Sequence, residues 1–252
     1  MPFEPRVADG VLRLRRPGTR WLSTGWDGGL SEADAAYNVS VPEGWERTDL
    51  GEYVTERLAG AGFGSEESGR EAGPALLTGV DMRHARVARA GTVTVAATAG
   101  VSNPAALPMG AGAEDASAPD PDRNAKRERD RDPVGRGTVN VLVATTRSLA
   151  DGALANLVAV AAEAKAATLL SATGFPGTTT DAVVAGCAPD GEPAAFSGSA
   201  TPVGSAARAC VRDAVRASLN ARYGAGDATV PDSVADAEYG VVTDRETEVF
   251  AP

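Results

Sequence analysis

The sequence has only two cysteines, Cys187 and Cys210, and one histidine, His84. Neither cysteine stands in a CxxC or Cys/His cluster, so no zinc site and no other protein-bound metal is expected. A disulfide is not expected in a reducing cytosol; both thiols read as small buried hydrophobes. No run of 18 apolar residues is present, so no membrane span and no membrane partner are expected. The N-terminus, MPFEPRVADG, lacks the apolar core of a signal peptide, and a cytoplasmic protein is the expectation. Walker, GxGxxG, HExxH and GxSxG patterns are missing, which argues against nucleotide enzymes, zincins and α/β-hydrolases. Positive charge is short too. With 24 basic against 34 acidic residues, the net charge of −10 repels phosphate and disfavours nucleic acid as a partner.

Lysine is scarcer still. Of the 24 basic residues only Lys126 and Lys165 are lysines; the other 22 are arginines. A high acid content with little lysine and many small residues resembles proteins of salt-accumulating archaea, whose acidic surfaces stay solvated in concentrated salt. Aromatics are few, with three Trp, four Tyr and five Phe.

The 252 residues suit a single domain able to bury a sizeable core. VLRLR (11–15), the turn PGT and RWLST (20–24) read as a hairpin. A helix is expected from Leu50 to Ala61. TVTVAATAG (92–100) and TVNVLVATT (138–146) read as strands. Residues 149–174 read as a long Ala/Leu helix, with Asp151 capping its start and Gly174 its end. A second helix is expected from Pro202 to Tyr223, where proline suits the first turn. YGVVTDRETEVF reads as a short C-terminal hairpin. Strands and helices alternate irregularly, which points to an α+β fold, a layered sandwich of mixed sheet and helices. Between the two Thr/Val strands, residues 111–136 contain seven acids, six bases and no Leu, Ile, Met or aromatic residue. Such a segment buries too little apolar surface to offset its ordering entropy and is expected to be a disordered internal loop.

Polar residues inside or beside the apolar segments are the candidates for chemistry. In the long helix, Lys165 falls on the apolar stripe of Leu154, Leu157, Val158, Ala161 and Leu169. It either snorkels to the surface or is held by a partner. In a chain that prefers arginine, it suggests a need for a compact ammonium. Glu163 lies off that stripe, on one face with Asn156. In GFPGTTTDAVVAGC (174–187), the turn amides could hold an oxyanion. Thr178, Thr179 or Thr180 could act as a nucleophile if a base activates it. Asp181 is either that base or an Asx-turn residue. VSNPAALPMG contributes Ser102 and Asn103, and STGWDGG contributes Ser23, Thr24 and Asp27. In LTGVDMRHAR, Asp81 is a better candidate than His84, which reads as a surface residue.

Taken in order, WLSTGWDGG (21–29), TAGVSNPA (98–105), GTVNVLV (137–143), DGALANLVAVAAEAKAATL (151–169), GTTTDAVVAG (177–186) and SGSATPVG (197–204) resemble the adenosylcobinamide amidohydrolase family. The likeness spans about residues 20 to 220 and departs from the family at Ala162, where a threonine is usual. It implies hydrolysis of adenosylcobinamide to adenosylcobyric acid and aminopropanol, in archaeal cobinamide salvage. The substrate is then a corrinoid that brings its own cobalt, and no further cofactor is implied. Residue chemistry within the matching motifs names Glu163, Lys165, Asp181, Thr179 and Thr180 as catalytic candidates. Ser23, Thr24, Asp27, Ser102, Asn103, Asn140, Asn156, Thr178 and Thr201 are the candidates for binding substrate. Loop amides of 177–180 and the Asn103 amide would bind the oxyanion and the leaving amine, and Trp21, Trp26 and Trp45 would touch the corrin ring. Two other readings stay open: a non-catalytic corrinoid-binding module, and an amidohydrolase of another small amide with a self-processing threonine. Assembly as a homo-oligomer is compatible with all three.

Overall fold

The computed structural model describes residues 1–42, 45, 47–64, 73–109, 137–224 and 228–251. In chain order the first half gives β1 (Glu4–Ala8), β2 (Val11–Ser23), β3 (Gly29–Ser40), α1 (Leu50–Gly60), β4 (Ala75–Thr78), β5 (Arg86–Ala90), β6 (Val93–Ala99) and β7 (Pro104–Ala106). The second half gives β8 (Val139–Thr145), β9 (Ser148–Leu149), α2 (Asp151–Thr173), β10 (Gly177–Thr178), β11 (Ala182–Cys187), β12 (Pro193–Ala194), α3 (Pro202–Tyr223) and β13 (Val241–Val242). The main sheet runs β4-β3-β2-β11-β8-β6-β5, with β1 beside β2. It is mixed: β11 lies parallel to β8 and antiparallel to β2. This is the expected α+β architecture.

Every residue of β6 and β8 is buried, as befits strands covered on both faces. The period of two sorts their side chains. Val139, Val141 and Val143 pack towards α2 and α3 with Val183, Ala185, Leu154, Leu157 and Val211. Leu142, Ala144 and Val184 face the other way and meet Trp21, Leu12, Leu14 and Phe3. On that second face the sheet curls enough for β3 to touch β8. Asn38 on β3 donates to Thr98 at 2.8 Å, and Asn140 on β8 donates to Asn38 and to the Leu77 carbonyl, both at 2.9 Å. A buried polar chain thus joins strands that are not neighbours in the sheet. A third cluster lies under α1, where Tyr53, Val54 and Leu58 pack on Val39 and Phe63.

The helix ends follow the sequence signals. Gly174 closes α2 in the left-handed region at φ 79°, and Thr201 caps α3 by accepting from Gly204 N at 3.0 Å. Three expectations are corrected. The PGT segment does not turn the chain back: β2 runs through it as one strand, with an irregularity between Arg15 and Thr19, and its partners are β1, β3 and β11. Asp151 is the first residue of α2 rather than its cap, and it pairs with Arg20 at 3.0 Å. The C-terminal hairpin is absent among the described residues, where Val241–Val242 instead joins β7 in parallel. The segment 111–136, expected to be a disordered loop, lies outside the described residues; β6 and β8, the main-sheet strands before and after it in the chain, are adjacent.

By length and composition α2 could cross a bilayer. Here its buried face is spent on the sheet and on α3.

Candidate active site

The apolar register of α2 decides where Lys165 points. It is one helical turn from both Ala161 and Leu169, which are fully buried, so its stem lies on the sheet side of the helix. Its ammonium ends on the Asp181 carboxylate, and only 10% of each side chain is exposed. Gly177 makes room for the pair: a Cβ there would sit 3.0 Å from Asp181 Oδ2.

Asp181 gathers four donors. Lys165 Nζ and, at 3.1 Å, Thr178 N donate to Oδ2; Val139 N at 2.9 Å and the Thr178 hydroxyl donate to Oδ1. Four bonds fill the acceptor capacity of a carboxylate. This carboxylate therefore ties α2, the start of β8 and the 177–181 loop together. The expected Asx-like bonding to loop amides is present, and with it an ion pair.

The neighbouring loops close round this cluster. Asn103 is buried; its carbonyl accepts from Thr179 N at 3.2 Å and its Oδ1 from Tyr239 N at 3.3 Å. Ser102 lies beside Gly137, whose φ of +97° allows the approach: a Cβ on Gly137 would stand 2.6 Å from Ser102 N. The Thr180 hydroxyl lies 2.7 Å from that of Thr138. Thr24 trades bonds with Val183 at 3.0 Å in each direction, which brings the 23–29 turn to the entrance of β11. In that turn Ser23 Oγ accepts from Gly25 N at 3.1 Å, and Asp27 is exposed with φ 48°.

The structure thus brings together Lys165, Asp181, Thr178, Thr179, Thr180, Ser102 and Asn103, with Thr24 close by. Other candidates lie apart. Glu163 is two residues from Lys165, about 200° round the helix, and pairs with Arg208 at 3.1 Å on the exposed α2–α3 face. Asn156 shares that face, as expected, and donates to Ser197 Oγ at 3.1 Å. A cleft of about 510 Å³ opens there, lined by Arg208, Arg212, Arg216 and Ser171. Asn140 sits on the opposite face of the sheet from Asp181, in the chain with Asn38, and its Oδ1 is buried without a partner among the described residues. Thr201 acts as a helix cap. Asp81 caps a short 3-10 turn, accepting from Arg83 N at 2.8 Å.

Two further expectations change. The Thr178 and Thr179 amides, read as oxyanion donors, are already committed to Asp181 and to the Asn103 carbonyl. Trp21 is fully buried against Phe3 and is unavailable to a ligand, whereas Trp26 is exposed. Thr138 was missed. It stands inside the quoted GTVNVLV motif, but a hydroxyl at a strand entrance carries no signal of its own. His84 makes no hydrogen bond to the cluster among the described residues, its ring nitrogen accepting from Arg83 Nε at 3.1 Å; burial, then Arg83 and Arg222, lower its pKa below the usual value. Cys187 and Cys210 are both buried and unpaired, and burial raises the pKa of Cys210.

Residues 4–227 match the family model described as adenosylcobinamide amidohydrolase. A protein of Halobacterium salinarum named adenosylcobinamide amidohydrolase is 58% identical, covering 99% of this chain and 100% of its own. One of the same name from Methanosarcina mazei is 26% identical, covering 80% of this chain and 90% of its own. The acidic, lysine-poor composition accords with the Halobacterium relative. This chain belongs to the adenosylcobinamide amidohydrolase family.

Proposed function

We propose that this protein hydrolyses the amide joining aminopropanol to the corrin side chain of adenosylcobinamide, releasing adenosylcobyric acid and aminopropanol in cobinamide salvage. The observation that carries this reading is the 58% identity along the whole length of both chains. Incubation of the purified protein with adenosylcobinamide, followed by mass spectrometry, tests it: an unchanged corrinoid mass would overturn it. In this reading the protein is cytoplasmic and needs no resident cofactor, since the cobalt arrives with the substrate.

The reaction is assigned to the Lys165–Asp181–Thr178 cluster. A hydroxyl against a carboxylate that is itself held by a third group is the arrangement of an activated nucleophile. Thr178 Oγ1 adds to the amide carbonyl carbon while its proton passes to Asp181. The carbon–nitrogen bond breaks, and that proton leaves on the amine. Water then adds to the ester, releases the corrinoid acid and restores the hydroxyl.

One observation favours a second reading. Thr178 is only 8% exposed, and the acceptor sites of Asp181 are filled. There the carboxylate is a clamp that shapes the loop, and water attacks directly. Thr178→Ala decides between the two: turnover near that of the wild type rejects the threonine as nucleophile.

A further inference from the structure

Thr138 immediately precedes β8. Its carbonyl accepts from Gly100 N at 3.1 Å, and the next residue gives its amide to Asp181. The residue is 3% exposed, and the partner of its hydroxyl among the described residues is Thr180 Oγ1, 2.7 Å away. Thr180 is half-buried.

A pair of hydroxyls has two protons, and only one can lie between the two oxygens. If Thr180 donated, the Thr138 proton would be buried without an acceptor, at a cost of about 1–3 kcal/mol. If Thr138 donates, the Thr180 oxygen accepts and its own proton turns outward. Satisfaction of the buried group therefore selects the second arrangement. The nearby amides of Thr178 and Thr179 are already spent on Asp181 and on the Asn103 carbonyl. Thr180 is left as a donor whose proton has no acceptor among the described residues.

We infer that Thr138 is a positioning residue that fixes the Thr180 hydroxyl, and that Thr180 donates to the carbonyl oxygen of the scissile amide as negative charge builds there. The inference rests on the amidohydrolase reading and holds whether Thr178 or water attacks. A donor set in advance against developing charge acts mainly on kcat.

The test is steady-state hydrolysis of adenosylcobinamide by the full-length protein and four variants, with thermal unfolding of each as a check on folding. Thr180→Val is expected to lower kcat about 100-fold or more, with KM within about threefold. Thr138→Val is expected to lower kcat about tenfold. Thr138→Ser, which keeps the hydroxyl, is expected to stay within about twofold of the wild type, a rescue that lost packing alone would not produce. The double Thr138→Val/Thr180→Val variant is expected to be no slower than Thr180→Val, because the two act as a unit. If Thr138→Val does not fold, Thr138→Ala takes its place. An unchanged kcat in Thr138→Val, independent multiplication of the two losses, or a folded but equally slow Thr138→Ser would each overturn the inference alone. A wild type that leaves adenosylcobinamide intact overturns the amidohydrolase reading, and this inference with it.

Discussion

Lys165 and Asp181, 16 residues apart in the chain, meet as an ion pair with 10% of each side chain exposed. Such a pair need not stabilise the fold relative to apolar residues of the same size, because both charges lose their water. What it fixes is geometry: the ammonium holds the carboxylate that holds the 177–181 loop. Breaking it from one side leaves a buried charge.

The two halves of the pair are not equivalent. Lys165→Met leaves Asp181 with three donors, whereas Asp181→Asn strands the ammonium and turns an NH2 group towards N–H and O–H donors. Each single change is expected to cost about 3–5 kcal/mol in urea unfolding, Asp181→Asn the more. The double variant is expected to cost less than the sum of the two. Simple additivity would show that the pair is not coupled as its geometry implies.

Glu163→Gln is expected to be mild. Its side chain is 62% exposed and pairs with Arg208, itself 42% exposed, on the far side of α2 from Lys165. The expected stability change is at most about 1 kcal/mol, and turnover of adenosylcobinamide should stay within about twofold of the wild type. A loss of 100-fold would move the reacting centre to the α2–α3 cleft.

The contrast between these neighbours marks how far the sequence could be read. The period of α2 identified Lys165 as a lysine on an apolar stripe, and therefore as a group in need of a partner. Only the tertiary arrangement shows that the partner is Asp181. Glu163 lay inside the same motif, and motif membership says nothing of which way a residue faces. The long helices and the strands β6 and β8 were legible because their apolar content is dense and proline or glycine marks their ends. β2 was misread because PGT has turn chemistry, yet the strand absorbs it in an irregularity with Gly18 at φ 66°. Trp21 was misread as a ligand contact because an aromatic beside a polar motif looks the same in sequence whether it faces a cleft or a core.

Gly186 provides the seat for that tryptophan. The two residues are directly opposite in the β2–β11 pair, and a Cβ on Gly186 would come within 2.4 Å of the indole ring. The ring cannot retreat easily, since its Nε1 donates to the Ala33 carbonyl at 3.1 Å and it packs on Phe3 in a T-shaped contact. Gly186→Ala is expected to cost about 1–3 kcal/mol by overpacking, seen as a lower urea midpoint with altered tryptophan emission. Trp21→Phe should recover part of the loss in the double variant. An unchanged midpoint would mean that the seat is looser than these contacts imply.

His84 should make the protein more sensitive to mild acid. Burial and the positive charges of Arg83 and Arg222 lower its pKa in the fold, against smaller opposing effects of the Ala221 backbone and Asp81. With the folded pKa below the ordinary 6.5, the unfolded chain takes up the proton first as pH falls. Protonation therefore favours unfolding, and the loss of stability begins near pH 6.5 and is complete below the folded pKa. His84→Gln has no such proton to take up. Thermal midpoints measured from pH 8 to pH 5 at fixed high salt should coincide in trend above about pH 7.5 and diverge below it, with the wild type falling faster. A wild type that gained stability relative to His84→Gln on acidification would show that the imidazole has an acidic partner stronger than the two arginines.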